Sequence, residues 1–180
     1  MLRRGGLFTA LLLTALTMGL EFAHVLEWGP KASFPGPLYV RLQESLYNWY
    51  GDIGSVIYVL AVVATVALAV LARRDRASCG LLVPAAVAEM AALIVFLTVV
   101  LPVNSRFPVH GSGAVPAGWQ TLRDHWETGH AIGFALFTAA FILLAMTALR
   151  PANSVDGRGR APYSTRRDGS GDHGVLPERS

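Results

Sequence analysis

Hydrophobic residues in this chain fall into four long blocks, and short polar stretches separate the blocks. The blocks cover residues 7–28, 53–72, 81–101 and 126–149. Each holds about 20 mostly apolar residues, which is the length that an α-helix needs to cross the hydrocarbon core of a membrane. The pattern predicts an all-α, integral membrane four-helix bundle that is formed by residues 1–150.

Breakers and charged turns set the ends of the predicted spans. The stretch Gly29–Pro37 is rich in proline and predicts a break after the first span. Arg73-Arg74-Asp75-Arg76 forms a charged turn after the second span, Pro102-Val103-Asn104 closes the third, and Arg150-Pro151 stops the fourth. Residues 151–180 are rich in Gly, Arg, Ser, Asp and Pro and have no apolar periodicity, so they predict a disordered tail.

The start of the first block has the features of a signal-peptide core, because Arg3-Arg4 precedes an apolar run at residues 7–20. No small-x-small cleavage site follows this run. Glu21, His24 and Glu27 continue it at helical spacing instead. We therefore expect an uncleaved first span.

The distribution of basic residues predicts the orientation of the bundle. Eleven of the 15 Lys and Arg residues precede the first span, lie between the second and third spans, or follow the fourth. The others lie on the opposite side and are Lys31, Arg41, Arg106 and Arg123. By the positive-inside rule, both termini face the cytoplasm. We expect a multi-pass protein of the plasma membrane.

The composition agrees with a membrane protein, because 53% of the residues are hydrophobic and only 15% are charged. Soluble domains average about 25% charged residues. The net charge of +3 does not indicate a nucleic-acid partner, since the basic residues lie at span ends and in the tail without a nucleic-acid-binding motif. Cys79 is the single cysteine, which excludes an intramolecular disulfide. The lipid bilayer is the expected partner, and the oligomeric state stays open.

An unusual stripe of aromatic and charged residues opens the fourth block. Trp119, Arg123, Trp126 and His130 are spaced so that a helix places them on one face. Other polar residues concentrate near the same end of the predicted bundle, namely Glu21, His24, Glu27, Glu44, Asn48, Asp52, Asn104 and Glu127. The remaining tryptophans, Trp28 and Trp49, also fall at this end, as in an interfacial aromatic belt.

Antiparallel packing of the first and fourth helices predicts a polar pocket that opens outward. Glu21 and His24 on the first helix, and Glu127 and His130 on the fourth, lie about two turns from their outer helix ends. They would therefore meet at a similar depth. Ionisable residues within spans usually face the bundle interior or a water-filled cavity.

Such a pocket has the groups for acid–base catalysis. His24 and His130 are candidate bases, because a buried histidine beside a carboxylate can take up a proton near neutral pH. Glu21, Glu27 and Glu127 would orient them, and Arg123 or a tryptophan N–H would steady a developing enolate or phenolate. The candidate substrate-binding residues are Trp126, Asn104, Asp52 and Trp119.

A metal site is an alternative for the same residues. Glu21-x-x-His24 and Glu127-x-x-His130 have the spacing found in carboxylate-bridged di-metal bundles. Glu89 would add a ligand from the third helix, but it lies deeper, and the second helix has no Glu at matching depth. We predict no cofactor. In the simpler arrangement these groups form a hydrogen-bonded network in which Arg123 neutralises Glu127.

The chain resembles the anthrone oxygenase-like family in three features. These are the four spans, the Pro102-Val103-Asn104 ending of the third span, and the W-x-x-x-R-x-x-W-x-x-x-H motif of Trp119–His130. Members of the family are small integral membrane proteins, most of unknown function. The resemblance implies a four-helix membrane fold. It also implies oxidation of an anthrone to an anthraquinone, an activity of a few members, in which a phenolic or polyketide-type substrate first loses a proton.

Two other function classes remain open on the sequence alone. The outer cap would serve as a docking face if the chain were a non-catalytic membrane subunit or scaffold. Glu89 would serve as a proton relay if the chain were a small proton or solute transporter. Four spans are few for a transporter, and the blocks show no broken helices or inverted repeat.

Overall fold

The computed structural model describes residues 2–107 and 114–150, and all regular secondary structure in them is helical. Four long helices form the fold: α1 (Leu2–Ala32), α2 (Gly36–Leu71), α3 (Arg76–Asn104) and α4 (Trp119–Ala148). All four are long and apolar enough to cross a membrane. The predictions of an all-α fold and of four candidate spans are confirmed for these residues. The predicted disordered tail lies outside them.

The four helices form a ring in which each packs on two neighbours. Helix α1 packs on α2 and α4, and α3 packs on the same two helices. Consecutive helices are antiparallel, so residues 33–35, 105–107 and 114–118 lie at one end, which we call the loop end. The start of α1, the α2–α3 turn and the end of α4 lie at the other, which we call the terminal end.

Small and aliphatic residues fill the terminal end of the bundle. Its buried cluster consists of Ala10, Leu68, Ala69, Ala72, Leu82, Ala85, Ala140 and Leu144. Small side chains let the helix backbones approach closely, which favours dense packing. Helix α3 begins there with a standard cap, because the Asp75 carboxylate accepts hydrogen bonds from the backbone N–H groups of Ala77 and Ser78.

Aromatic residues fill the loop end instead. Its buried cluster consists of Tyr39, Val40, Tyr47, Val100, Val103, Phe107 and Trp126. The start of α2 packs tightly there, since an ideal Cβ on Gly36 would lie 2.9 Å from Cγ1 of Val115 and 3.1 Å from the Trp119 ring. A glycine is needed at this contact. Gly118, just before α4, has a φ of 69°, a left-handed conformation that also favours glycine.

Helix α1 continues further than the sequence predicts. The break expected at Gly29–Pro37 begins only after Ala32, because α1 runs through Pro30. Proline near the end of a helix removes one backbone donor but does not prevent the last turn from forming. Backbone bonds from Ser33 N–H to the Pro30 carbonyl and from Phe34 N–H to the Lys31 carbonyl close this end. As a result, Lys31 remains in helical register with Glu27.

Both middle helices contain a π-helical turn near the loop end. The turn in α2 covers Gln43–Tyr47, and the turn in α3 covers Phe96–Val100. A π turn holds one extra residue, so it rotates the side chains before it relative to those after it. Beyond its π turn, α3 continues through Pro102 and ends at Asn104.

We expect Gly129→Ala to destabilise the contact of α4 with α3. An ideal Cβ on Gly129 would lie only 2.6 Å from Cγ2 of Val100, and valine side chains have few rotamers to escape into. Such overpacking should lower the free energy of unfolding by about 1–3 kcal/mol, measured by thermal unfolding in detergent. Gly19→Ala is the control, because nothing lies within 4 Å of its Cβ position. Equal unfolding midpoints for the two variants would contradict this packing.

Candidate functional site

A cavity of about 530 Å³ lies between the four helices in the loop half of the bundle. Helix α1 lines it with Thr17, Leu20, Glu21 and His24, and α4 lines it with Trp126 and His130. The i, i+3 spacing of Glu21 and His24 places both on the face of α1 that meets α4. The predicted convergence of these residues with His130 is therefore present in the structure.

Helices α2 and α3 and the following Phe107 supply the rest of the wall, and both π turns contribute lining residues. Gln43 and Tyr47 line it from the first π turn, and Phe96 and Leu97 line it from the second. π turns occur often at functional sites. Further along α2 the lining includes Asn48, Asp52, Ser55 and Tyr58, and α3 adds Asn104.

A carboxylate and two imidazoles form the polar centre of the cavity. Nδ1 of His130 lies 2.8 Å from Oε2 of Glu21. The rings of His24 and His130 lie 4.1 Å apart between centroids. Nδ1 of His24 and Nε2 of His130 are buried and have no hydrogen-bond partner within residues 2–107 and 114–150. Buried polar atoms normally have partners, so these two nitrogens are candidates for binding a ligand.

Trp126 fixes the position of both histidines. Its ring meets His130 edge-on at 4.2 Å and His24 edge-on at 4.7 Å, measured between centroids. Its indole Nε1–H donates a hydrogen bond of 2.8 Å to Oδ1 of Asn104 on α3. Asn104 therefore holds the indole ring, and the ring packs against both imidazoles. The sequence places Trp126 and Asn104 among the candidate substrate-binding residues but does not predict this hydrogen bond between them.

A buried ion network lies on the loop side of the histidines. Nζ of Lys31 lies 2.8 Å from Oε1 of Glu127 and 3.5 Å from Oε2 of Glu27. Glu27 also accepts a short hydrogen bond from the Tyr47 hydroxyl. The Lys31 ammonium lies 4.7 Å from the Trp126 ring centroid and 4.9 Å from that of Tyr47, which are cation–π distances. Lys31 is 2% exposed and Glu127 is 1% exposed.

The expectation that Arg123 neutralises Glu127 is wrong, because Lys31 is the ion partner of Glu127. The Arg123 guanidinium instead pairs with Asp124 at 3.0 Å and donates a hydrogen bond to the carbonyl oxygen of Ala32 at the end of α1. It lies 5.4 Å from the ring centroid of Trp119. Arg123, Trp119 and Glu127 are not among the residues that line the cavity. They support the loop end, next to the cavity.

Glu89 lies in a separate buried polar cluster towards the terminal end. Its carboxylate accepts a hydrogen bond of 2.7 Å from the Thr14 hydroxyl, and both residues are fully buried. Glu89 does not line the cavity. Among the residues that the structure describes, no three His, Cys, Asp or Glu side chains form a group that would hold a metal ion. The five predicted metal ligands do not come together. Glu21, His24 and His130 lie in the cavity, Glu89 bonds to Thr14, and Glu127 pairs with Lys31.

The sequence does not identify Lys31, Tyr47 or Gln43 as candidate site residues. A signal for Lys31 was present, because Lys31 follows Glu27 by four residues and would share a helix face with it. The prolines on either side obscured that spacing. Tyr47 and Gln43 carry no comparable signal, since a π turn is not visible in a 3.6-residue periodicity.

Comparison of the chain with family models, with curated proteins and with solved structures finds no match. The resemblance to the anthrone oxygenase-like family therefore remains a hypothesis based on the motif of Trp119–His130.

We expect Lys31→Met to be strongly destabilising, because it leaves the buried Glu127 carboxylate without its ion partner. Breaking a buried pair from one side typically costs about 3–5 kcal/mol, whereas replacing both partners is often nearly neutral. The double variant Lys31→Met/Glu127→Met should therefore recover most of the thermal stability in detergent. Arg41→Met, at an exposed position, is the control. If Lys31→Met and Arg41→Met have the same midpoint of thermal unfolding, the ion pair does not contribute to the stability of the fold.

Proposed function

We propose that this chain is an integral membrane protein whose cavity binds a small phenolic or polyketide-type molecule and removes a proton from it. The resulting anion then reacts with oxygen. The observation that carries the proposal is the contact between Glu21 and His130, because the second ring nitrogen of His130 is buried without a partner and His130 lines a cavity that a small molecule would fit.

The Glu21–His130 pair has the arrangement of a general base with its orienting group. When Nδ1–H of His130 donates to the Glu21 carboxylate, the lone pair of Nε2 is available to accept a proton. His24 packs against His130 and offers a second unpartnered nitrogen. Tyr47, Tyr58 and Phe96 give the cavity aromatic walls against which a flat ring can pack.

An anthrone suits these groups chemically. Its methylene carbon gives up a proton to His130 Nε2, and the aromatic anion that forms reacts with O₂ at that carbon. Loss of water then leaves a new carbonyl. The overall reaction converts anthrone and O₂ to anthraquinone and water. The two methylene hydrogens and one oxygen atom form the water, and the other oxygen atom becomes the oxygen of the new carbonyl group.

The remaining candidate residues act on this pair indirectly. Trp126 and Asn104 hold the imidazoles in place, and Asp52 lies at the rim of the cavity, where it would meet a polar edge of the substrate. Arg123 ties the start of α4 to the end of α1. Glu127 and Lys31 complete the ion network behind Trp126. In this proposal Arg123 and Glu127 are positioning residues.

The proposed setting is the plasma membrane, with the loop end outside and both termini in the cytoplasm. The bias of Lys and Arg towards the terminal end supports this orientation. The cavity would then lie in the outer half of the bundle. The apolar cluster at the terminal end would close it from the cytoplasm.

We expect His130→Ala and Glu21→Gln each to lower the rate of oxygen uptake with anthrone, compared with wild type in proteoliposomes. Removal of a positioned general base typically costs about 10²–10⁴-fold in rate. His125→Ala is the matched control, because His125 lies on the same helix but is exposed and outside the cavity lining. If His130→Ala and His125→Ala take up oxygen at the same rate, His130 is not the base.

The orientation is tested by reporter fusions in bacterial cells. Alkaline phosphatase, which is active only outside the cytoplasm, should be inactive when fused after Arg150 and active when inserted after Arg106. The physical reason is that the two positions lie at opposite ends of the helices. The reverse pattern of activity would contradict the proposed topology.

A further inference from the structure

The wall of the cavity is incomplete between α2 and α3. Residues Asn48–Leu71 of α2 pack on Arg76–Val95 of α3, but their packing on Phe96–Asn104 is much weaker. Tyr58 and Ala92 belong to one buried cluster at the bottom of the cavity. The backbones of the two helices therefore approach closely below the cavity and lie further apart at its level, where Tyr58 and Phe96 still make a ring contact of 5.2 Å between centroids.

Three aliphatic side chains mark the resulting opening. Val59 on α2 and Leu97 and Leu101 on α3 all line the cavity. They are also 46%, 49% and 46% exposed. Side chains that line a cavity and are this exposed lie at an edge where the cavity meets the exterior. The opening therefore faces sideways, across the helix axes.

The surface around this opening is apolar away from the loop end, whereas Asn48 and Asp52, which are exposed and also line the cavity, form its edge nearer the loop end. Ile53 and Val56 on α2 and Ile94 on α3 are each more than half exposed. Large exposed apolar surface on helices long enough to span a membrane is expected to face lipid. Trp49, 71% exposed, is typical of the membrane interface, and Val59 lies ten residues or roughly 15 Å further along α2. The opening thus lies at the depth of acyl chains.

We infer that this opening is a lateral portal, through which a bilayer-dissolved molecule reaches the histidines from the leaflet at the loop end. Beside its aromatic walls, the cavity presents Ser55, and the exposed Asn48 and Asp52 add polar groups at its edge nearer the loop end. The fitting ligand is a flat, largely apolar ring system with one hydrogen-bonding edge. That the ligand is a substrate rests on the proposed function. The entry route through the portal depends only on the structure of the cavity wall between α2 and α3.

Gly51 offers a way to close the portal without disturbing the fold. Gly51, Ser55 and Val59 follow one another at steps of four on α2, so they form one stripe along the opening. No heavy atom lies within 4 Å of a Cβ on Gly51. The indole of Gly51→Trp would therefore fill the opening. Gly19→Trp is the matched control, because Gly19 is an equally open helical glycine outside the cavity lining.

The test measures access to a cysteine placed inside the cavity. Thr17→Cys is made in a Cys79→Ala background, because Thr17 lines the cavity on α1, which does not flank the opening. The protein is reconstituted in phosphatidylcholine liposomes. Two probes are compared: N-(1-pyrenyl)maleimide, which dissolves in the bilayer, and a charged sulfonate methanethiosulfonate, which stays in water. The pair Leu97→Trp and Ile94→Trp repeats the comparison on α3, since only Leu97 lines the cavity.

We expect the pyrenyl probe to label the cysteine faster than the charged probe. Gly51→Trp and Leu97→Trp should slow pyrenyl labelling by about tenfold or more, because the probe must displace a packed side chain. Gly19→Trp and Ile94→Trp should leave it unchanged. Equal pyrenyl rates in the blocked and control variants, faster labelling by the charged probe, or no labelling by either probe would each overturn the portal.

The labelling reaction requires no turnover, which separates this inference from the proposed function. If labelling follows the expectation but anthrone oxidation does not depend on His130, the portal stands and the proposed function fails. If oxidation depends on His130 but Gly51→Trp labels like Gly19→Trp, the proposed function stands and the portal fails.

Discussion

Two polar contacts of 2.8 Å join α1 to α4: Glu21 with His130, and Lys31 with Glu127. Inside a helical bundle, a polar group that loses its partner is costly, so these contacts fix how the two helices lie along each other. Trp126 packs against both the histidines and the Lys31 ammonium, and therefore links the contacts. The shape of the cavity depends on this arrangement, because α2 and α3 pack around it.

Much of the fold follows from the sequence, because four apolar blocks of membrane-spanning length leave few alternatives for chain organisation. The convergence of Glu21, His24 and His130 also follows, since helical spacing and antiparallel packing together set both face and depth. The ion partner of Glu127 does not follow. Arg123 is one turn away and was the natural choice, whereas Lys31 becomes available only because α1 continues through Pro30.

The π turns explain why sequence reasoning gave only part of the lining of α2. A regular helix would align Glu44 with Asn48, Asp52 and Ser55. The extra residue in Gln43–Tyr47 rotates the helix, so Gln43 and Tyr47 face the cavity and Glu44 does not. No hydrophobic periodicity signals such a turn, since its position depends on how the aromatic cluster of the loop end packs. Tertiary packing thus determines which side chains of α2 face the cavity, and the sequence alone does not.

The central claim is that Glu21 holds His130 with Nε2 free towards the cavity. Solid-state nuclear magnetic resonance in lipid bilayers tests it directly, with ¹⁵N-labelled histidine and ¹³C-labelled glutamate and with His24→Gln to remove the neighbouring ring. We expect a strong dipolar coupling between Nδ1 of His130 and the Glu21 carboxyl carbon, with the proton on Nδ1 and Nε2 unprotonated. Absence of this coupling, or a proton on Nε2 in place of Nδ1, would contradict the account.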